Sequence, residues 1–598
     1  MDIRSFVCYD NLKYSQTKFR GDTLYKLIMP YLGKYKKDVI LSVICSTVES
    51  FFDLSVTLLM AYLLDYGIGR SDMAYTLKLG CLMIGIGLLV VGMGILSVKF
   101  STRAGMGFGA ELRKAQYKAI QGYTFKNIET FGTGSLINRL TGDVTAVQSA
   151  ICTAIKTLAR APSMIIIAFI MSFMVNKTVA LLFLAIFPAF VIVYAIIIRK
   201  LMPRYKAMQE SIDSMNLITQ ENLTGMGIIK AFVRCDQQKQ RFGDANYKVF
   251  RSSDRAFGFG VLNGPFSNLI MYAVIIAMYR IGGDLIIKNY LSVGELTSLI
   301  SYLNSIMTQT LGIGSVFLVL SRSLVSLRRI SEVLAQVPDI EDGPVEQPVA
   351  DGSIKFENVS FRYGESGKYI LQNIDLTIPS GETIGIIGGT GSAKSTLVNL
   401  IPRLYDVSDG CIKVGDRDIR EYTLKTLRDG VSIVLQQNTL FSGTIRENLR
   451  WGDPGAEQSE MDTACSAACA TEFVSRLPDG YDTVLSQGGV NLSGGQRQRL
   501  CIARALMKKP KVLILDDSTS AVDMATDAAI RKSFKENLSG VTKLIIAQRI
   551  ASVMDADRII VIDEGRITAI GSHNELMESS DIYRTIYKTQ QEGALING

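Results

Sequence analysis

The chain is predicted to fold in two parts. The first is a bundle of six membrane-spanning helices that run on past the bilayer, and the second is a C-terminal α/β domain built on a P-loop. Three observations lead there. Apolar residues make up 48% of the 598 positions and concentrate before residue 325. Six runs in that region approach the roughly 20 residues a membrane helix needs. Further on, the buried-strand pattern Ile384-Gly385-Ile386-Ile387 leads into a glycine-rich loop and then a helical pattern, the context a phosphate-binding loop requires.

The six runs lie near 38–64, 76–101, 155–175, 178–198, 257–283 and 292–320. Charge orients them. Lys34, Lys36 and Lys37 precede the first run. Arg103, Arg113, Lys114, Lys118, Lys126 and Arg139 separate the second from the third, and Arg199, Lys200, Arg204, Lys206, Lys230 and Arg234 follow the fourth. The remaining connections are short, with Arg70, Lys177 and Lys288 as their main basic residues. By the positive-inside rule the N-terminus, both long loops and the C-terminal domain are cytoplasmic, which implies a multi-pass protein of the cell membrane. The same asymmetry accounts for the net charge of +8, and a nucleic-acid partner is not expected. The nine cysteines are odd in number and lack metal-ligand spacing, as suits a reducing cytosolic face. The first run begins late and is long, so it reads as a spanning helix and not a cleavable signal.

Glu49 falls about ten residues into the first run, or roughly 15 Å at the helical rise. Asp53 follows one turn later on the same face. Carboxylates at that depth face a bundle interior or a watery cavity. Two readings stay open: they line a cavity for cationic or polar cargo, or they pair with a group on another helix. Lys99, Lys156 and Arg160 count out near the inner interface, where snorkelling explains them.

The expected division is a cytoplasmic segment over 1–37, a six-helix membrane domain with two long intracellular loops over 38–334, a linker over 335–352, a nucleotide-binding domain over 353–585 and a tail over 586–598. Pro338, Pro344 and Pro348 mark the linker.

The loop itself reads Gly388-Gly389-Thr390-Gly391-Ser392-Ala393-Lys394-Ser395-Thr396. Its glycines let backbone N–H groups curl around phosphates, Lys394 reaches the β- and γ-phosphates, and Ser395 holds Mg²⁺. Ala393 stands where such loops carry glycine before the lysine. A second apolar strand, Lys511-Val512-Leu513-Ile514-Leu515-Asp516, ends in an acid that would organise Mg²⁺, and Asp517 follows.

Between these elements lies Asn491-Leu492-Ser493-Gly494-Gly495-Gln496-Arg497-Gln498. In this position it resembles the signature of ATP-binding cassette (ABC) ATPases, with Leu492 to Gln496 as its core. The resemblance to ABC exporters of the multidrug type extends from about residue 20 to 585. The segments 131–144 and 221–232 resemble intracellular-loop regions of those exporters, whose tips dock on the ATPase domains. Tyr363 occupies the position that stacks on adenine. Gln436 matches the glutamine that contacts Mg²⁺ and senses the membrane domain, with Gln437 a less well-spaced competitor. Ser520-Ala521-Val522-Asp523 matches the segment that crosses the dimer interface, so Asp523 belongs to the ATP site. The resemblance implies ATP and Mg²⁺ as cofactors and ATP hydrolysis coupled to transport of small-molecule, multidrug or lipid-like substrates, in contact with membrane lipid.

The chain departs from the family at three places. Ala393 replaces glycine, Asp517 replaces the glutamate that activates water, and Gln548 replaces the switch histidine; the chain's one histidine is His573. A carboxylate one methylene shorter is withdrawn by about 1 Å, a displacement that can cost on the order of 10²-fold. Glutamine can hydrogen-bond a γ-phosphate but carries neither proton nor charge. All three fall on the site built from this chain's own loops, whereas the signature, which serves the opposite site, is intact. The pattern implies one subunit of a heterodimer, its own site degenerate, completing the catalytic site of a second half-transporter. A slow homodimer and an ATP-gated membrane protein that does not pump are the alternatives.

Overall fold

The computed structural model describes residues 29–261, 263–364, 367–518 and 522–596. It divides into two compact units. One holds the chain through Gln121 together with Thr133–Gln336, and the other holds Gly122–Gly132 together with the chain from Val337 onward.

The first unit is helical. Its long helices are Lys36–Tyr62, Met73–Gln121, Val144–Val175, Lys177–Thr224, Cys235–Val261 followed by Asn263–Ile287, and Val293–Ala335. Among the described residues, four stretches are long and apolar enough to cross a membrane: Lys36–Ile68, Met73–Gln121, Thr133–Val175 and Cys235–Ile287. The fourth and sixth expected runs fall on Lys177–Thr224 and Val293–Ala335, and both include residues whose side chains lie outside the description. Met73–Gln121 has 49 residues, about 73 Å at the α-helical rise. That is more than twice a hydrocarbon core of ~30 Å, so the helix must continue well beyond the bilayer.

Small residues let these helices approach. A Cβ on Gly105 would lie 2.1 Å from Cys152 Sγ, so Met73–Gln121 and Val144–Val175 touch where glycine removes the side chain. Ser42 Oγ donates to the Ser97 carbonyl at 3.0 Å, and Ser97 Oγ returns a bond to the Ser42 carbonyl at 3.2 Å. The apolar core of this unit collects around Leu54, Met278, Leu299 and Tyr302. Away from that core, Arg329 grips Asp143 with two guanidinium nitrogens, and Arg139 pairs with Glu332 at 2.9 Å.

Arg160 differs from its expected role. Its Nη1 lies 3.2 Å from Glu49 Oε1 and its Nη2 3.6 Å from Asp53 Oδ2. The guanidinium does not reach out to an interface but bridges the two carboxylates of the first span. Pairing, the second of the two open readings for Glu49 and Asp53, is what the geometry contains.

The second unit has twelve strands among the described residues: β1 Ile354–Phe361, β2 Leu371–Ile378, β3 Thr383–Ile387, β4 Asp409–Val414, β5 Arg417–Asp418, β6 Val431–Val434, β7 Gly443–Thr444, β8 Val484–Leu485, β9 Val512–Asp516, β10 Thr542–Ile546, β11 Arg558–Asp563 and β12 Arg566–Gly571. An antiparallel sheet of order β2-β1-β4-β5 packs its inner face against a six-stranded sheet of order β12-β11-β3-β10-β9-β6. The larger sheet is parallel apart from β12 at its edge. Parallel strands are covered on both faces, and β9 and β10 are buried at every residue. That burial is why they read as unbroken apolar runs. The helix Asp581–Ile596 runs through most of the expected tail over 586–598.

Candidate functional site

Four loops leave the carboxyl ends of adjacent parallel strands, where open α/β sheets place their ligands. β3 delivers Gly388 to Ser395, β9 ends on Asp516, β10 ends two residues before Gln548, and β6 ends two residues before Gln436. Strand register therefore brings together residues far apart in sequence. Asp516 pairs with Ile546 across the β9–β10 ladder, and the Asp517 N–H donates to the Ile546 carbonyl at 3.1 Å.

The glycine loop is shaped to hold an anion. A Cβ on Gly388 would lie 2.1 Å from the Ile562 carbonyl oxygen, and Gly391 takes φ +81°. Lys394 Nζ donates to the carbonyls of Gly388 and Gly389 at 2.9 and 2.8 Å, so its ammonium is coiled back over the loop. Burial lowers the Lys394 pKa, opposed by the nearby Asp516 and Asp517. Ser395 Oγ donates to Asp516 Oδ1 at 2.9 Å. Burial also raises the Asp516 carboxyl above its usual range, against the Ser395 bond that lowers it. A half-buried ammonium, a hydroxyl and a carboxylate around a glycine cradle form a donor set that fits a nucleotide's phosphates and a divalent cation.

The two altered side chains meet. Gln548 Nε2 donates to Asp517 Oδ2 at 2.9 Å. Burial raises the Asp517 carboxyl, while hydrogen bonds with Gln548 and Gln436 lower it. Asp517 has φ +49° and Ala393 φ +73°, both in the left-handed region. Aspartate tolerates that region; alanine does so at a cost of about 1–2 kcal/mol.

Tyr363 is 40% exposed, its hydroxyl 3.0 Å from Thr396 Oγ1 and its ring packed edge-on against Tyr405 at 5.2 Å. A partly open ring beside the phosphate loop suits a base-stacking role. The signature stands apart. Ser493 caps the helix Gly494–Met507, its Oγ accepting from the Gln496 N–H at 3.3 Å, while the Ser493 N–H donates to Gln496 Oε1 at 2.9 Å. Leu492 is buried beneath. Among the described residues, no hydrogen bond or ion pair joins Leu492 to Gln496 with the chain's own phosphate loop. Asp523 caps the helix Met524–Asn537 through the Thr526 N–H at 2.9 Å. Ser520 and Ala521 lie outside the described residues. His573 opens the helix His573–Ser579, with Nδ1 2.7 Å from Tyr583 Oη.

Two contributors were not visible in the sequence. Gln590, on the last helix, donates from Nε2 to the Gln548 carbonyl at 2.7 Å and accepts the Ile550 N–H at 2.9 Å. The amphipathic pattern of that helix was the available signal. The other is the helix Phe125–Phe131, just before the segment 131–144 whose resemblance pointed to a docking loop; it belongs to the ATPase unit although both its flanks belong to the helical one. Phe125 meets Tyr405 at 6.1 Å, and Tyr405 Oη donates to Glu129 Oε1 at 2.8 Å.

A family model described as the ABC transporter transmembrane region matches residues 39–311, and one described as ABC transporter matches residues 371–520. An uncharacterised ABC transporter ATP-binding protein of Bacillus subtilis, YfiB, is 34% identical over 563 residues, spanning 94% of this chain and 98% of that protein. An ATP-dependent lipid A-core flippase of Syntrophus aciditrophicus is 32% identical over 483 residues, 80% of each chain. Among solved structures, a bacterial Atm1-family ABC exporter with ATP bound matches with a TM-score of 0.76 at 22% identity, covering 94% of this chain and 98% of that one.

Proposed function

The chain belongs to the ABC transporter family, a membrane region and an ATP-binding region on one polypeptide that couples ATP hydrolysis to transport, and we propose that it is the degenerate-site subunit of a heterodimeric exporter. In this reading it carries small, multidrug or lipid-like molecules out across the cytoplasmic membrane, with its N-terminus and ATPase domain inside. The likeness to a protein named as a lipid A-core flippase favours amphiphilic cargo.

One observation supports the proposal: the three departures fall in the chain's own glycine loop and just past the ends of β9 and β10, and none falls in the signature. Gln548 and Asp517 are bonded to each other at 2.9 Å, so the short carboxylate is engaged by an amide in place of the family's histidine. Gln548 cannot take a proton in turn. In contrast, Ser493 and the start of its helix are preorganised by the capping box, ready to face another cassette's phosphate. Bound ATP supplies the phosphoanhydride bond that is broken. Lys394 would neutralise its phosphates, Ser395, Asp516 and Gln436 would hold Mg²⁺, and Tyr363 would stack on adenine. Leu223, Ile228, Phe232 and Val233, around the tip of the second long loop, are all exposed apolar residues, as suits a surface that a partner subunit covers.

The test is ATPase activity of the chain purified with its partner subunit. Ser493→Ala should cut turnover by about tenfold or more, the scale of a lost transition-state donor, while Asp517→Asn should change it less than about twofold. Equal or reversed effects would sink the assignment.

A further inference from the structure

An open cavity of about 940 Å³ lies between the helices Lys177–Thr224 and Cys235–Val261. Ile196, Arg199, Lys200 and Arg204 line it from the first helix, and Arg255 and Phe259 from the second. The level of these residues follows from sequence. Arg199 directly follows the fourth apolar run, over 178–198, and Arg255 stands two residues before the fifth, over 257–283. The cations therefore sit at the depth of the lipid headgroups, on the membrane surface from which the long loops emerge, while Ile196 and Phe259 lie at the adjoining acyl-chain level.

Elsewhere in this unit three buried or half-buried arginines are matched. Arg160 pairs with Glu49 and Asp53, Arg139 with Glu332, and Arg329 with Asp143. Among the described residues, none of Arg199, Lys200, Arg204 and Arg255 has a carboxylate oxygen within 4.0 Å. Arg204 is nevertheless held in place: Nη1 donates to the Lys200 carbonyl at 2.6 Å, and its guanidinium lies 4.1 Å from the centre of the Phe259 ring. Four like charges around one open cleft repel one another, and an anion entering between them lowers that cost. Guanidinium groups match a phosphate's geometry with paired N–H donors, and a basic pocket between membrane helices suits an anionic headgroup.

We propose that this cleft is a binding site for the phosphate headgroup of an anionic phospholipid, held as a resident ligand and distinct from transported cargo. The site goes beyond the exporter reading, since it needs only the membrane placement of the two helices and not the heterodimer. Its chemistry is a phosphodiester between Arg199, Arg204 and Arg255, with an acyl chain along Ile196 and Phe259.

Native mass spectrometry of the full-length chain, released from mixed phosphatidylglycerol and phosphatidylcholine, tests this. The wild type should retain phosphatidylglycerol in preference. The variant Arg199→Gln/Lys200→Gln/Arg255→Gln should lose that preference by about tenfold or more. The single changes Arg199→Gln and Arg255→Gln, on different helices, should each lower it severalfold, which keeps the test alive if the triple variant folds poorly. Lys36→Gln/Lys37→Gln/Lys99→Gln removes the same charge elsewhere near the same surface and should leave the preference intact. Equal losses in both triple variants would reduce the effect to general surface charge and overturn the site. Displacement of the lipid by millimolar inorganic phosphate would make a free anion the ligand and overturn the lipid assignment.

Discussion

At Ala393 a single methyl group sets a local conflict. The turn into the helix Lys394–Leu400 demands φ +73° there, and an L-residue other than glycine in that region carries about 1–3 kcal/mol of strain. Glycine would remove the strain but loses more chain entropy on folding. Ala393→Gly should therefore stabilise the full-length protein by a net of roughly 0.5–1 kcal/mol, read from chemical denaturation. An unchanged or lower midpoint would show that the loop relaxes around alanine. The sequence names the substitution but not its cost, because a backbone angle depends on the turn and not on residue order alone. Arg160 teaches the same lesson from the other side. Counting from the edge of the apolar run put it near an interface, but its helix begins at Val144, well before that edge. Its counter-charges lie on a different helix, where no local pattern can point to them.

At the level of elements, the strands that build the site were legible and the helix that braces it was not. β3, β9 and β10 are buried on both faces, so their apolar runs and the residues just past their ends could be read directly. The helix Asp581–Ile596 acts through single side chains. Gln590 holds the Gln548 carbonyl and the Ile550 N–H together, bracing the backbone on either side of Arg549. Gln590→Ala should leave ATP affinity within about twofold and raise amide exchange over 548–552 by about 30-fold, since two net hydrogen bonds are each worth ~1 kcal/mol. Unchanged exchange in that peptide would remove the helix from any role at the switch. The same helix carries a pH limit. Tyr583 is fully buried and packed on His573, and burial pushes its hydroxyl from 10.0 up to about 12. Between those values the unfolded chain has released a proton that the folded chain keeps, so stability falls as pH rises through that window. Melting temperatures measured from pH 9 to 12 should drop less steeply in Tyr583→Phe than in the wild type, even though the variant loses its bond to His573 at neutral pH. Parallel profiles would place the alkaline loss elsewhere.

For the molecule as a whole, the question is how membrane helices and ATP site communicate when the chain passes from one unit to the other and back. The segment Gly122–Gly132 makes that excursion, and its helix begins and ends on a phenylalanine, Phe125 and Phe131. Phe125 lies 6.1 Å from Tyr405, and Tyr405 lies 5.2 Å from Tyr363, the residue proposed to stack on adenine. Tyr405 is fixed by its bond to Glu129 and by burial, so a shift of the loop helix has one packed ring between it and the base. Spatial adjacency does not by itself establish coupling; a double-mutant cycle does. ATP affinity should be measured for Phe125→Ala, Tyr363→Ala and the double variant, all in the full-length protein. Aromatic pairs contribute about 0.5–1.5 kcal/mol beyond their buried area, and a relay through Tyr405 should give a coupling near the lower end, about 0.5 kcal/mol or more. Tyr405→Leu, which keeps an apolar side chain there but removes the ring and its bond to Glu129, should reduce that coupling. If the two changes add to within ~0.3 kcal/mol in either background, the rings are packing neighbours and the signal between loop and nucleotide travels by another route.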